Sequence, residues 1–273
     1  MRCKLIVSDL DGTLLDKQQA IPKHTKDLIA EFQSGGGIFS IATGRMEMSV
    51  AKYIKELAIT VPIILYNGAK IVHPGKALAL REHTLDCGIA RTVLGLVKRY
   101  PWDVLLYQNQ SLYVEKGTDV IRRYAAKDGV NWQEVGDLLA FLEGAPTKLL
   151  IIGDARGFSG FVEECVRACG RMINTVRSER SYLEVLPDNV SKGKALLELC
   201  SILGVKPSQT VALGDHLNDL SMIQEAGLGV AVANAHEYLK QQAGYVTTGE
   251  DTDGVAEVIE MVLTDNLPLD LAR

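Results

Sequence analysis

Short apolar runs that end on acidic, hydroxyl or glycine residues alternate, at both ends of the chain, with longer segments whose apolar positions recur every three or four residues. Residues 4–8 form the first such run and predict a buried strand feeding a loop. Pro22 then marks a helix start, Leu28, Ile29 and Phe32 fall at helical spacing, and Gly35, Gly36 and Gly37 can supply the left-handed residue that ends the helix. Residues 38–42 repeat the strand pattern, 50–57 read as helix, and 61–66 form a third apolar strand. The rhythm returns near the C-terminus. There, 194–203 read as a helix closed by Gly204, 210–213 as a strand, 217–226 as a helix, 229–233 as a strand and 255–263 as a last helix. Strands alternating with helices predict a parallel sheet.

The stretch between these halves has a different texture. Residues 104–107 and 111–115 flank Asn109 and Gln110 as the arms of a β-hairpin. Helical patterns near 89–99, 118–127 and 158–169 alternate with strands at 148–152 and 182–185. The expected architecture is α/β: a doubly wound, Rossmann-like parallel core over residues 1–82 and 188–273, with an α+β domain inserted at 83–187. No repeat or low-complexity tract interrupts it.

The 273 residues suit one large domain or two small ones, and 47% hydrophobic with 23% charged residues is ordinary globular usage. A net charge of −5 gives no overall attraction for nucleic acid, so an anionic ligand must be drawn by local positive groups. The basic pairs Lys98–Arg99 and Arg122–Arg123 lie in helix-like stretches and read as solvated faces. Five scattered cysteines, Cys3, Cys87, Cys165, Cys169 and Cys200, contain no Cys-x-x-Cys pair, and Cys165 and Cys169 read as buried small hydrophobes four apart on a helix. The N-terminal apolar run is too short for a signal peptide, and no stretch approaches the ~20 apolar residues of a membrane span. A cytoplasmic protein is expected, and nothing in the sequence sets its oligomeric state.

In open parallel sheets ligands gather beyond the carboxyl ends of the strands, so the polar residues directly after each core strand are the candidates. Asp9 and Asp11 follow the first strand, Thr43, Gly44 and Arg45 the second, Asn67 and Gly68 the third, and Asp215, Asn218 and Asp219 the strand ending at Leu213, while Lys192 stands beside a helix start. Several carboxylates meeting at one point repel unless a cation neutralises them, and hard oxygen ligands favour magnesium. A carboxylate can also attack phosphorus to give an acyl phosphate, provided metal and donors offset the charge. Lys192, the Thr43 hydroxyl, the backbone N–H groups around Leu10 and Gly44, and Asn218 are the available donors.

Asp9-Leu10-Asp11-Gly12-Thr13-Leu14 resembles the first motif of the haloacid dehalogenase superfamily. Ala42-Thr43-Gly44-Arg45 is similar to the second, Ser191-Lys192-Gly193 to the third and Gly214-Asp215-His216-Leu217-Asn218-Asp219 to the fourth, in the superfamily's order. Asn67-Gly68-Ala69, Tyr182-Leu183-Glu184-Val185 and the tail from Val230 through Asn234-Ala235 to Asp253-Gly254-Val255-Ala256 resemble its Cof-type hydrolases, subfamily IIB, so the likeness spans nearly the whole chain. The resemblance implies Asp9 as nucleophile and metal ligand, and Asp11 as general acid/base that also offers its backbone carbonyl to Mg2+. It implies Asp215 as the third metal ligand, and Leu10, Thr43, Gly44, Lys192 and Asn218 as phosphate-binding residues, with Asp219 orienting Lys192 or the metal's waters. It implies further a cap at 83–187 that closes over substrate and sets specificity.

The implied activity is Mg2+-dependent hydrolysis of small phosphorylated metabolites, sugar phosphates first, with flavin mononucleotide or pyridoxal phosphate behind them. A phosphosugar mutase or a non-catalytic phosphometabolite sensor are the rival readings. Asp215 has a second reading as a helix N-cap, Arg45 as a phosphate contact or a core carbonyl partner, and Asn67 as a site residue or packing. His216 reads as an exposed loop position outside the site.

Overall fold

The computed structural model describes residues 3–76, 79–170 and 172–267. In chain order it begins β1 (Leu5–Ser8), α1 (Lys23–Ser34), β2 (Ile38–Ile41), α2 (Glu47–Glu56), β3 (Ile63–Leu65), β4 (Lys70–Val72) and β5 (Ala79–Glu82). It continues α3 (Cys87–Val97), β6 (Asp103–Gln108), β7 (Ser111–Val114), α4 (Asp119–Asp128), β8 (Gln133–Glu134), α5 (Leu138–Phe141), β9 (Lys148–Ile152), α6 (Ala155–Cys169), β10 (Ile173–Glu179) and β11 (Tyr182–Pro187). It closes α7 (Lys192–Leu203), β12 (Thr210–Gly214), α8 (Leu220–Glu225), β13 (Leu228–Ala231), α9 (Glu237–Gln242), β14 (Tyr245–Val246) and α10 (Asp251–Leu263). The described residues fall into two units, one drawn from 1–44, 51–81 and 191–273, the other from 45–50 and 82–190.

The first unit is built on a parallel sheet in the order β14-β13-β12-β1-β2. Strands β1, β12 and β13 are buried along their whole length, as the unbroken apolar runs demand of a sheet covered on both faces. Leu5, Val7 and Ala212 pack against Ala195, Leu196 and Leu199 of α7 and Met222 of α8. Helix α1 packs on β2 and on α10, where the Thr252 hydroxyl donates to that of Thr25 at 3.0 Å. Beyond β2, a parallel bridge between Ala42 and Ile64 brings up β3, which pairs antiparallel with β4 in a three-stranded sheet β3-β4-β5. The chain runs outward from β1 to β2 on one side and from β12 to β14 on the other. Loops leaving the carboxyl ends of β1 and β12 therefore diverge, which is the crevice geometry of doubly wound folds.

The second unit is a six-stranded sheet, β10-β11-β9-β6-β7-β8, antiparallel except for the β7–β8 pair. Its core joins Val93 and Val97 of α3, Phe158, Phe161, Cys165 and Cys169 of α6, and inward residues of β6, β9 and β11. Burial pushes the Cys165 thiol up to about 12, the chemistry of a buried small hydrophobe. The predicted hairpin forms, with Asn109 at φ 52° and Gln110 at φ 60°, the left-handed pair that a two-residue turn between twisted strands requires.

Helix α1 ends at Ser34, and Gly36, one of the three glycines expected to end it, supplies the left-handed residue, φ 86°. Other boundaries differ from the sequence reading. The helix expected over 217–226 is a 3-10 turn, Leu217–Asp219, followed by the shorter α8. No helix among the described residues is long and apolar enough to cross a membrane.

Candidate active site

The carboxyl end of β1 delivers Asp9, 5% exposed, whose N–H donates to the Leu213 carbonyl of β12 at 2.9 Å. The chain then curls around the Leu10 carbonyl, which accepts from the N–H groups of Thr13, Leu14 and Leu15. Among the described residues no carbonyl accepts the Leu10 N–H itself, so this group remains available as a donor to an anion. Gly12 takes φ +78°, and a Cβ there would stand 2.5 Å from Asp215 Oδ2. Only glycine lets the two carboxylate-bearing loops approach this closely. Thr13 Oγ1 donates to Asp215 Oδ1 at 3.2 Å.

Ser191 caps α7 by accepting the Lys194 N–H, and Lys192 follows as the first residue of the helix, fully buried. A cation opposes the helix dipole there and requires an anion. It has two: Lys192 Nζ lies 2.6 Å from Asp9 Oδ1 and 2.5 Å from Asp219 Oδ1. Burial alone would lower the Lys192 pKa, but these two carboxylates outweigh it and hold the ammonium above its ordinary value. The second oxygen of Asp219 accepts the backbone N–H groups of Asp215 and His216, both at 3.1 Å. Gly214 makes room for it, since a Cβ there would fall 2.4 Å from Asp219 Cβ. Gly193 does the same for α8, its N–H reaching Ser221 Oγ at 3.0 Å.

Carboxylate oxygens of Asp9, Asp215 and Asp219 lie within 4.8 Å of one another. Opposite ligands of an octahedral magnesium stand about 4 Å apart, so this spacing is of the right order. The donor set is oxygen only. Because Lys192 and two backbone N–H groups occupy both oxygens of Asp219, that residue is committed to holding the lysine, while Asp9 and Asp215 each keep an oxygen on which no bond is described. Burial pushes Asp9 well above the usual carboxylate range; Lys192 opposes this, and Asp219, Asp215 and Asp11 add to it. Burial, then Asp219, lift Asp215 to about 7 against the pull of Lys192 and Thr13. One ammonium among four carboxylates leaves a charge deficit that a divalent cation fits.

Thr43 is buried at the end of β2, its N–H on the Ile64 carbonyl at 3.0 Å and its carbonyl accepting the Asn67 N–H at 2.9 Å. Gly44 follows it, against the Asn67 amide. Asn218 donates from Nδ2 to Asn67 Oδ1 at 3.0 Å, so one of its two amide hydrogens is already committed. Asp11 is half-buried in the β1 loop and bridges to Leu15. Asp215 does not cap the turn after it: that position belongs to His216. The sequence reading assigned no task to Thr13, Ser221 or Asn234, yet Asn234 Nδ2 donates to the Gly12 carbonyl at 2.8 Å. Thr13 stood inside a recognised motif, while Ser221 and Asn234 act through tertiary neighbours that no spacing reveals.

Residues 6–259 match a family profile described as haloacid dehalogenase-like hydrolase. The chain superposes on a haloacid dehalogenase-like hydrolase from Bacteroides thetaiotaomicron with a TM-score of 0.86 at 30% identity, covering 95% of this chain and 99% of that one. It is 29% identical over 274 residues to the 5-amino-6-(5-phospho-D-ribitylamino)uracil phosphatase YitU of Bacillus subtilis (strain 168), covering 94% of this chain and 96% of the relative. A subclass IIB sugar phosphatase shares the fold with a TM-score of 0.84 at 20% identity, covering 97% and 100% of the two chains.

Proposed function

The chain belongs to the haloacid dehalogenase-like hydrolases, and from that premise we propose that it is a magnesium-dependent phosphatase of small phosphorylated metabolites, sugar phosphates first, working through a phosphoaspartate on Asp9. The observation that carries this reading is the convergence of Asp9, Asp215, Asp219 and Lys192, from β1, β12 and α7, with Lys192 bonded to one oxygen of Asp9 only. A lysine fixed beside a carboxylate can neutralise phosphate oxygens as they approach, where two anions would otherwise repel.

In the proposed sequence the free oxygen of Asp9 attacks phosphorus and the P–O bond to the ester oxygen breaks. The leaving oxygen takes a proton from Asp11, released as the alcohol. Asp11, now ionised, takes a proton from water as the water oxygen attacks the phosphoaspartate, and inorganic phosphate leaves with Asp9 restored. Lys192, the Thr43 hydroxyl and the N–H groups of Leu10 and Gly44 bind the phosphoryl oxygens, with Asn218 assisting. Asp9, the Asp11 carbonyl and Asp215 would hold Mg2+, which would supply positive charge beside the transferring group.

The test is phosphate release from a panel of sugar phosphates, flavin mononucleotide, pyridoxal phosphate and the ribitylamino-pyrimidine phosphate named for the Bacillus relative. Turnover is expected with Mg2+, to be lost on chelation and abolished in Asp9→Asn. Rearranged sugar phosphate without net phosphate release would instead identify a mutase, and ligand binding unaltered by Asp9→Asn without turnover a sensor.

A further inference from the structure

We propose that Asn67 is a positioning residue that fixes the mutual spacing of the three loops carrying Thr43 and Gly44, Lys192, and Asn218; this rests on the phosphoryl-binding reading given under Proposed function. The turn Tyr66–Gly68 places three consecutive residues at positive φ: 51° at Tyr66, 55° at Asn67 and 100° at Gly68. Left-handed backbone is unfavourable for non-glycine residues, and here two of them adopt it while buried, at 1% and 2% exposure. Such a conformation persists where its surroundings over-determine it.

The surroundings are the three loops. The Asn67 N–H donates to the Thr43 carbonyl at 2.9 Å, and its Oδ1 accepts Asn218 Nδ2 at 3.0 Å. Its Nδ2 stands 3.0 Å from where a Cβ on Gly44 would be, so the side chain lies flat against that glycine. Next door, a Cβ on Gly68 would fall 2.3 Å from the Ser191 carbonyl, one residue before Lys192. One short turn therefore touches every loop assigned to the phosphoryl group apart from that of β1.

The residue type is also constrained. Besides glycine, only asparagine and aspartate adopt left-handed backbone with ease. Glycine would bring no amide to Asn218, and aspartate would add a further negative charge beside a site already rich in carboxylates. Asparagine alone combines backbone tolerance, neutrality and a hydrogen-bonding side chain.

The experiment compares the full-length parent with Asn67→Gly and Asn67→Asp. It measures kcat and KM on the best ester of the panel, inhibition by inorganic phosphate, and thermal stabilisation by inorganic phosphate with Mg2+ present. Asn67→Gly is expected to melt at or near the parental temperature, because its backbone strain is relieved, yet to lose roughly 10- to 100-fold in kcat/KM, chiefly through KM, with weakened phosphate inhibition. Asn67→Asp, which keeps the shape and the acceptor for Asn218, is expected to weaken phosphate inhibition at least as much. Parental kcat/KM and parental phosphate inhibition in Asn67→Gly would overturn the proposal. Should Asn67→Gly melt early, Asn67→Asp decides by the same criterion. A parent that hydrolyses no ester but is stabilised by phosphate, with that stabilisation lost in both variants, would sink the proposed reaction and uphold the positioning role. A parent that turns over, alongside variants that match it, would do the reverse.

Discussion

Lys192 is held by charged hydrogen bonds to Asp9 and Asp219, and its burial at the first turn of α7 makes each partner important. Removing one partner of a buried ion pair leaves an uncompensated charge and destabilises by about 3–5 kcal/mol. Asp219→Ala is therefore expected to lower the unfolding free energy by an amount in that range, read as a lower urea midpoint. On the proposed mechanism it should also reduce turnover sharply, because Lys192 would then lean on Asp9 alone. A variant that melts and turns over like the parent would show that Asp219 does not hold the lysine. At this scale much was legible in the sequence: Asp9, Asp11, Thr43, Gly44, Lys192 and Asp215 each follow or open an element in a recognisable local pattern. The partner of Lys192 was legible only as one of two alternatives, because the 2.5 Å contact with Asp219 depends on how α7 lies against α8. Asn67 stayed open for the same reason, since its significance lies in contacts to residues 43, 44 and 218.

Among the elements, the hairpin β6–β7 shows how a turn's chemistry can lag behind its geometry. Both central residues are left-handed, a conformation asparagine accepts and glutamine does not favour. Gln110→Gly supplies the Asn-Gly pair such turns prefer, at an exposed position. The variant is expected to be more stable by roughly 0.5–1 kcal/mol, read as a higher thermal midpoint; a lower one would mean that Gln110 contributes something other than its backbone. Elements with strong periodicity, such as β1, β9 and α7, were readable within a residue or two of their ends, and α6 within three. Strands β4, β8 and β14 were not, because two or three residues cannot display a period. Strand β10 was missed because it lies at the sheet edge with a half-buried, irregular pattern and a bulge between Val176 and Glu179.

Across the whole molecule, the acidic cluster ties stability to pH and, on the proposed reading, to metal. Asp215 titrates near 3.8 in the unfolded chain and at about 7 in the fold. The metal-free fold thus holds a proton that the unfolded chain has released. This favours the fold fully below about pH 4, and the advantage is lost as pH climbs through about 7. A cation that binds the ionised form competes with that proton. The rise in melting temperature produced by saturating Mg2+ is therefore expected to be larger at about pH 8 than at about pH 5.5, with proton uptake by buffer on binding at the lower pH. An increment independent of pH would separate Asp215 from the metal.

The strand order carries a consequence for synthesis. Strand β1 is central, yet its neighbour β12 lies some two hundred residues downstream, and Lys192 is 183 residues from the carboxylate it meets. As the ribosome extends the chain, the second unit, whose strands are all contiguous in sequence, can complete itself first. The opening segment must wait with one edge unpaired. A polypeptide ending before β12 would bear Asp9 and Lys192 without Asp215 or Asp219, so the cluster assembles only once β12 and the turn after it have been made.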